Sequence, residues 1–263
     1  EIKKKTHEIK DFYDKDELSS DEKRKLEKLE EELKELKNKV NPELNLNLKT
    51  YFDDHLDTVH PFNWEVEFAE VMQEGGFDIV IGNPPYIRIQ GFTEEDKDYL
   101  KDFYVSAKTK FDTYILFIEK ALKLLRKDGY FGFIIPNKFT QTRYGEAIKE
   151  YILKNYKIVT FIDFGDLKVF EDATTYPCIM IIQKSNVSEL SNYVKVKKLN
   201  DKIYSHLQKN YNKEMYDDDI IKVFKFDQRD MDSSHWSFLP KSMARIFEKI
   251  KKNDPMFHNI LKE

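Results

Sequence analysis

Phe77-Asp78-Ile79-Val80-Ile81-Gly82-Asn83-Pro84-Pro85-Tyr86 decides the fold. The apolar run from Phe77 to Ile81 reads as a buried strand, and it stops at a polar Asn followed by two prolines and an aromatic ring. Proline has no N–H to give a ladder, so Asn83 to Tyr86 must form a stiff loop at the strand's carboxyl end. In open α/β sheets that end is where ligands bind.

Downstream, residues 87–110 are polar and irregular, and as an overhang of the loop they suit a lid or a substrate-ordered segment. Asp112 then caps an amphipathic helix with Tyr114, Phe117, Ile118, Ala121, Leu122 and Leu125 on one stripe, and Gly129 stops it. Tyr130 to Ile135 is a strand ended by Pro136, and a second helix follows with Tyr144, Ala147, Ile148, Tyr151 and Ile152 on one face. Lys157 to Phe164 and Tyr176 to Ile182 are further strands. The alternation predicts a parallel α/β sheet with covered faces. The last two runs have no room for a crossover helix and should pair antiparallel. Beyond residue 200, Lys222 to Phe226 reads as a strand and Met243 to Lys251 as a helix with Ile246, Phe247 and Ile250 inward.

Upstream, Gly75-Gly76 makes the turn into the opening strand, and Trp64, Val66 and Phe68 alternate with polar residues as in a half-buried strand. Residues 1–59 differ in composition. Ser19 and Glu22 make a capping box, and Leu26, Leu29, Leu33, Leu36 and Val40 form a narrow coiled-coil-like stripe ended by Asn41-Pro42. Ile2, Ile9, Phe12 and Tyr13 supply a partner for it in a helical hairpin; a dimerisation zipper is the other reading.

The chain has 263 residues with 44 basic and 48 acidic side chains, so a nucleic-acid contact must be a local patch. One cysteine, Cys178, rules out a disulfide framework and fits a reducing compartment. No stretch approaches a membrane span and the charged start is no signal peptide, which makes the expected location cytoplasmic. Six scattered histidines make no metal constellation, and none is expected in this portion; His60, before a proline, reads as structural.

The loop's chemistry follows from its donors and acceptors. Asn83 offers an amide, Pro84 a carbonyl with no N–H beside it on the same residue, and Tyr86 a flat face. Two acceptors beside an aromatic platform suit a planar heterocycle that carries an NH2 group. Accepting both hydrogens favours a pyramidal nitrogen and stabilises the positive charge that develops when the amine attacks. With an activated electrophile, alignment does the rest.

These motifs resemble those of S-adenosylmethionine-dependent DNA methyltransferases acting on the adenine amine, of the Asn-Pro-Pro-Tyr (gamma-type) class. His60-Pro61-Phe62-Asn63-Trp64 with Glu67-Phe68 resembles the type IIG restriction–modification subset. The likeness continues through Asp112-Thr113-Tyr114, Phe117, Gly129-Tyr130 and Ile135-Pro136-Asn137-Lys138-Phe139 to Val169-Phe170-Glu171-Asp172-Ala173-Thr174-Thr175. It spans roughly residues 60–185, and several motifs in order make it specific. It implies that Asn83 and the Pro84 carbonyl hold the target amine, with Pro85 beside them in the substrate loop. It also implies that Tyr86 stacks on a flipped-out adenine and that Phe170 packs against the base from another side. Phe117 would line the cofactor's adenine pocket, although its place on the stripe equally suits plain core.

The resemblance implies S-adenosylmethionine as cofactor, held on a glycine-rich loop after the first strand. No such loop precedes Asn83; Phe161-Ile162-Asp163-Phe164-Gly165-Asp166 comes too late and lacks a second glycine. The expected fold is therefore the C-terminal half of a Rossmann-like methyltransferase sheet with an N-terminal helical hairpin insertion. The expected division is a helical insertion over residues 1–59, a catalytic half over 60–200 and, over 201–263, a connector toward an absent target-recognition domain. Such a chain exposes the edge of the Phe77–Ile81 strand. It is expected to be a fragment that pairs with its missing N-terminal half, or to self-associate through that edge or the Leu26–Val40 helix. Double-stranded DNA is the expected partner, and no nuclease is visible, since Glu8-Ile9-Lys10 has only a trivial spacing. Two alternatives stand: a methyltransferase on glutamine or RNA guanine with the same loop, and a non-catalytic DNA-binding or assembly module using Lys195-Val196-Lys197-Lys198 and Lys249–Lys252.

Overall fold

The box at Ser19 forms as its residues require: Ser19 N donates to Glu22 Oε2 at 3.0 Å, and Glu22 N donates back to Ser19 Oγ at 3.4 Å. It opens α2 (Ser20–Val40), which pairs with α1 (Ile2–Tyr13) in the expected hairpin. Ile9 and Leu29 are buried, and Lys5–Glu32, Tyr13–Glu30 and Lys15–Glu22 contacts join the two helices and their connection. Lys15 and Ser19 hold the Glu22 carboxyl down at about 2. The computed structural model describes residues 1–15, 17–40, 50–52, 62–108, 111–170, 176–187, 189–244 and 246, so the stop expected at Asn41-Pro42 lies outside them. The chain divides into two units, Glu1–Gly76 with Thr93–Tyr99, and Phe77–Phe92 with Leu100–Glu263.

The strand expected at Trp64–Phe68 is instead a helix. Asn63 takes an extended backbone and its Oδ1 accepts from Glu65 N at 3.0 Å, which caps α3 (Trp64–Glu67); α4 (Ala69–Gln73) follows. Trp64 and Phe68, four apart, stack at 5.4 Å, so the rings cover one another as helix neighbours rather than lining a sheet. The polar stretch after the loop also contains a helix, α5 (Glu94–Phe103), opened by a Thr93–Asp96 box in which Thr93 N donates at 3.2 Å and Asp96 N returns at 3.1 Å.

The second unit begins where Gly75 and Gly76, at φ 98° and 119°, turn the chain into β1 (Phe77–Gly82). There follow α6 (Thr113–Leu124), β2 (Leu125–Pro136), α7 (Glu146–Asn155), β3 (Lys157–Asp163) and β4 (Pro177–Gln183). The remaining elements are β5 (Ser191–Val196), α8 (Ile203–Asn210), β6 (Met215–Asp217) and β7 (Ile221–Phe226). The strands form one seven-stranded mixed sheet in the order β1-β2-β4-β3-β5-β7-β6. β1 and β2 are parallel, and β4 runs against both β2 and β3 as the short connection after Phe164 requires. β1, β2 and β3 therefore end on the same side of the sheet.

One face carries the main core. Phe131, Phe133 and Ile135 of β2, Cys178, Met180 and Ile182 of β4, and Ile158 and Phe161 of β3 meet Tyr114, Ile118 and Leu122 of α6 and Ile148 and Ile152 of α7. On the opposite face, Ile203 and Leu207 of α8 pack with Ile162, Val194, Val196, Ile221 and Val223. That cover stops short of β1. Ile79 and Ile81 are 63% and 78% exposed, and Tyr130, the partner of Ile79 across the ladder, is 42% exposed.

Three expectations need correction. The α6 helix ends at Leu124, not at Gly129: β2 starts at Leu125, and residues 126–129 bulge from the ladder between the Phe77 and Ile79 pairs. Asp128 at φ 63° turns the bulge, and a Cβ on Gly129 would sit 2.8 Å from the Phe77 carbonyl oxygen. Phe117 leaves the buried stripe and is 47% exposed. Ile246 is 58% exposed rather than inward; residues 241–244 are helical, and Phe247 and Ile250 lie outside the described residues. No helix among the described residues is long and apolar enough to cross a membrane.

Candidate active site

The Asn83–Tyr86 loop emerges from the carboxyl end of β1, with Asn83 and Pro85 exposed, Pro84 buried and Tyr86 half-buried. Tyr86 Oη donates within reach of two acceptors, Asn83 Oδ1 at 2.8 Å and the Ile134 carbonyl of β2 at 3.1 Å. Its ring meets Tyr114 edge-on at 6.1 Å, and burial raises its pKa, so the phenol stays protonated. The Pro85 carbonyl is taken: Thr113 Oγ1 donates to it at 2.8 Å. No hydrogen bond among the described residues reaches the Pro84 carbonyl, which leaves it available as an acceptor.

Thr113 is the residue the sequence reading missed. Besides donating to Pro85 O, its Oγ1 accepts from Ile87 N at 3.2 Å, and its own N–H donates to Ile87 O at 2.8 Å. It ties both ends of the second half of the loop to the first turn of α6. A hydroxyl directly after a helix-opening Asp was the available signal. Asp112 occupies the N-cap position, but its side chain makes no capping bond. Burial raises the Asp112 carboxyl, with the Arg88 and Lys138 cations partly offsetting it. Thr113→Val should cost about 1 kcal/mol of stability. It should also speed hydrogen exchange at the Ile87 amide; unchanged Ile87 protection would show the loop is held by other contacts.

The loop after β2 supports this arrangement. Phe139, fully buried, touches Tyr114 at 6.3 Å and Trp236 at 5.6 Å, and Tyr114 Oη bonds Tyr144 Oη at 2.7 Å. Lys149, also buried, donates to three carbonyls, those of Thr140, Thr142 and Ser234, at 3.2, 3.2 and 2.8 Å. Burial pushes its pKa down to about 8. At the end of β3, Asp163 accepts from Asn137 Nδ2, Tyr193 Oη, Lys195 Nζ and Gly165 N at 3.2, 2.9, 2.8 and 2.8 Å. The loops after β1, β2 and β3 thus converge on one end of the sheet.

Phe170 sits in the loop after β3, half-buried, and Glu171–Thr175 lie outside the described residues. No ring contact of Phe170 with Tyr86 occurs among the described residues. The exposed Phe117 lies one turn along α6 from Thr113 and away from the Asn83–Tyr86 contacts. Of the basic run Lys195–Lys198, two lysines are already paired inside the fold, Lys195 with Asp163 and Lys197 with Asp217; Lys249–Lys252 lie outside the described residues.

The model of the Eco57I restriction-modification methylase family matches residues 2–170. The chain belongs to this family. The match begins well before the motifs that start near His60, so the α1–α2 hairpin is part of the matched region. The type II restriction enzyme and methyltransferase RM.Eco57I of Escherichia coli is 35% identical over 44% of this chain and 12% of its own length. The type II methyltransferase M.BstVI of Geobacillus stearothermophilus is 33% identical over 47% of this chain and 22% of its own. The chain thus spans only a small part of these relatives. The type IIG restriction endonuclease BpuSI aligns over 60% of this chain and 20% of its own, with 13% identity and a TM-score of 0.47.

Proposed function

We propose that this chain carries the target-amine half of a DNA adenine-N6 methyltransferase and works as one part of a longer restriction–modification enzyme. The observation that carries the reading is the loop itself. Asn83 and the unbonded Pro84 carbonyl stand beside the Tyr86 ring, at the end of the sheet where the loops after β1, β2 and β3 meet.

In this reading Tyr86 stacks on an adenine turned out of the duplex, and Phe170 approaches it from the β3 side. Asn83 Oδ1 and Pro84 O accept the two amine hydrogens, which frees the nitrogen lone pair and stabilises the charge formed on attack. S-adenosylmethionine, when bound, supplies a methyl group activated by its sulfonium. Asn83 Oδ1 and Pro84 O would hold the amine in line with that methyl group, and the proton the amine gives up on methylation would leave to water. The residues present fit the target better than the cofactor: toward the cofactor's ring the reading offers only the exposed Phe117 among the described residues.

The place of β1 at one end of the sheet supports pairing with a further, cofactor-binding part, and the uncovered face at Ile79, Ile81 and Tyr130 supports a covering layer from the same part. A domain that reads the DNA sequence would follow residues 201–263.

Full-length protein incubated with duplex DNA and labelled S-adenosylmethionine should yield N6-methyladenine on nucleoside analysis. Methyl transfer to protein or RNA but not to DNA would sink the reading. In calorimetry the chain by itself should bind the cofactor weakly or not at all; tight binding would refute the division of the site between two parts.

A further inference from the structure

Tyr86 Oη stands 2.8 Å from Asn83 Oδ1 and 3.1 Å from the Ile134 carbonyl oxygen. A phenol has one proton and so satisfies one of these acceptors at a time. With the proton on Asn83, one of the two lone pairs of the amide oxygen that a target amine needs is taken by the protein's own donor, which leaves the oxygen a weaker and partly blocked acceptor. The carbonyl of Ile134 is fixed in place, because β2 is held between β1 and β4 on either side.

We propose that the Tyr86 hydroxyl is a positioning group that switches the Asn83 amide between a resting and a receiving state. This rests on the function proposed above. In the resting state Tyr86 donates to Asn83 Oδ1. A half-turn about the Asn83 Cβ–Cγ bond exchanges the amide's two heteroatoms, so that Nδ2 donates to Tyr86 Oη and the Tyr86 proton turns to Ile134 O. The amide oxygen then faces outward to accept from the amine. No protein hydrogen bond is lost in the exchange. The chain of donors from Asn83 through Tyr86 to Ile134 polarises the amide and strengthens its oxygen as an acceptor. Burial keeps the phenol protonated, as this requires.

Tyr86→Phe keeps the stacking ring and removes only the relay. In the full-length protein it should slow single-turnover methyl transfer about 10- to 100-fold, less than the loss of a group that itself touches the reacting nitrogen. The KM for DNA should stay within about 2-fold, because a contact made only as the amine reacts does not contribute to ground-state binding. The fluorescence of a duplex with 2-aminopurine at the methylated position should show that the base is still turned out. In an Asn83→Asp background both side-chain oxygens are acceptors, a half-turn changes nothing, and Tyr86→Phe should cost little more. An unchanged rate, a fluorescence signal lost together with the rate, or an equal loss in both backgrounds would each overturn the proposal. If Asn83→Asp is too slow to follow, the rate and fluorescence of Tyr86→Phe decide it. Wild-type protein that makes no N6-methyladenine overturns the proposed function and this inference with it; an active wild type with an indifferent Tyr86→Phe overturns only the inference.

Discussion

Asn83→Ala is expected to lower the rate of methyl transfer by about 100- to 1000-fold in the full-length protein, the range found when one preorganised hydrogen-bonding group is removed from a reacting centre. The side chain is exposed and its one side-chain hydrogen bond among the described residues is with Tyr86, so the fold should tolerate the change. DNA affinity should hold within a few-fold, because the loss falls on a contact made strongest while charge develops on the amine. Single-turnover rates beside equilibrium DNA binding make the separation. A variant that loses DNA binding in proportion to its rate would place Asn83 in substrate docking and not at the reacting nitrogen.

Phe139→Ala should destabilise the second unit by about 3–5 kcal/mol, the usual cost of emptying a fully buried aromatic site. Phe139 is sealed between Tyr114 of α6 and Trp236, and Tyr114 in turn supports the Tyr86 ring, so the cavity opens directly behind the Asn83–Tyr86 loop. Urea unfolding should show the midpoint falling with little change in slope. Phe139→Leu, which refills most of the volume, should recover much of the loss. A cost below about 1 kcal/mol for the alanine variant would mean that the rings collapse into the space.

The strands that place the loop were legible because each is a short apolar run closed by a hard stop. Gly82-Asn83-Pro84 ends β1, Pro136 ends β2, and the brief link after Phe164 forces β4 to run antiparallel. The motifs also singled out Asn83, Pro84 and Tyr86 without contacts, and the structure groups them in one loop at the end of β1. Contacts alone revealed Thr113, whose three hydrogen bonds join residues 26 to 28 positions away. β5 escaped notice because Lys195 interrupts its apolar pattern. In the sheet that charge faces Asp163 of the adjacent strand, which removes the objection to placing it there. At Trp64–Phe68 the alternation of apolar and polar residues was real but satisfied a helix, since the Asn63 cap and the ring stack fix residues four apart. The α5 helix carried a readable signal in Thr93 and Asp96, hidden by its highly charged composition.

The segment from Ile87 to Thr113 leaves and returns at a single point. Thr113 N donates to Ile87 O at 2.8 Å, Ile89 N to Phe111 O at 3.4 Å, and Arg88 pairs with Asp112, while farther along the buried Glu119 accepts from Ser106 N at 2.8 Å. A loop closed at its base passes little of its own length or shape to whatever lies beneath. A change in the length or composition of this stretch should therefore leave the Asn83–Tyr86 loop undisturbed. It is a natural site for inserting or exchanging sequence without rebuilding the end of β1.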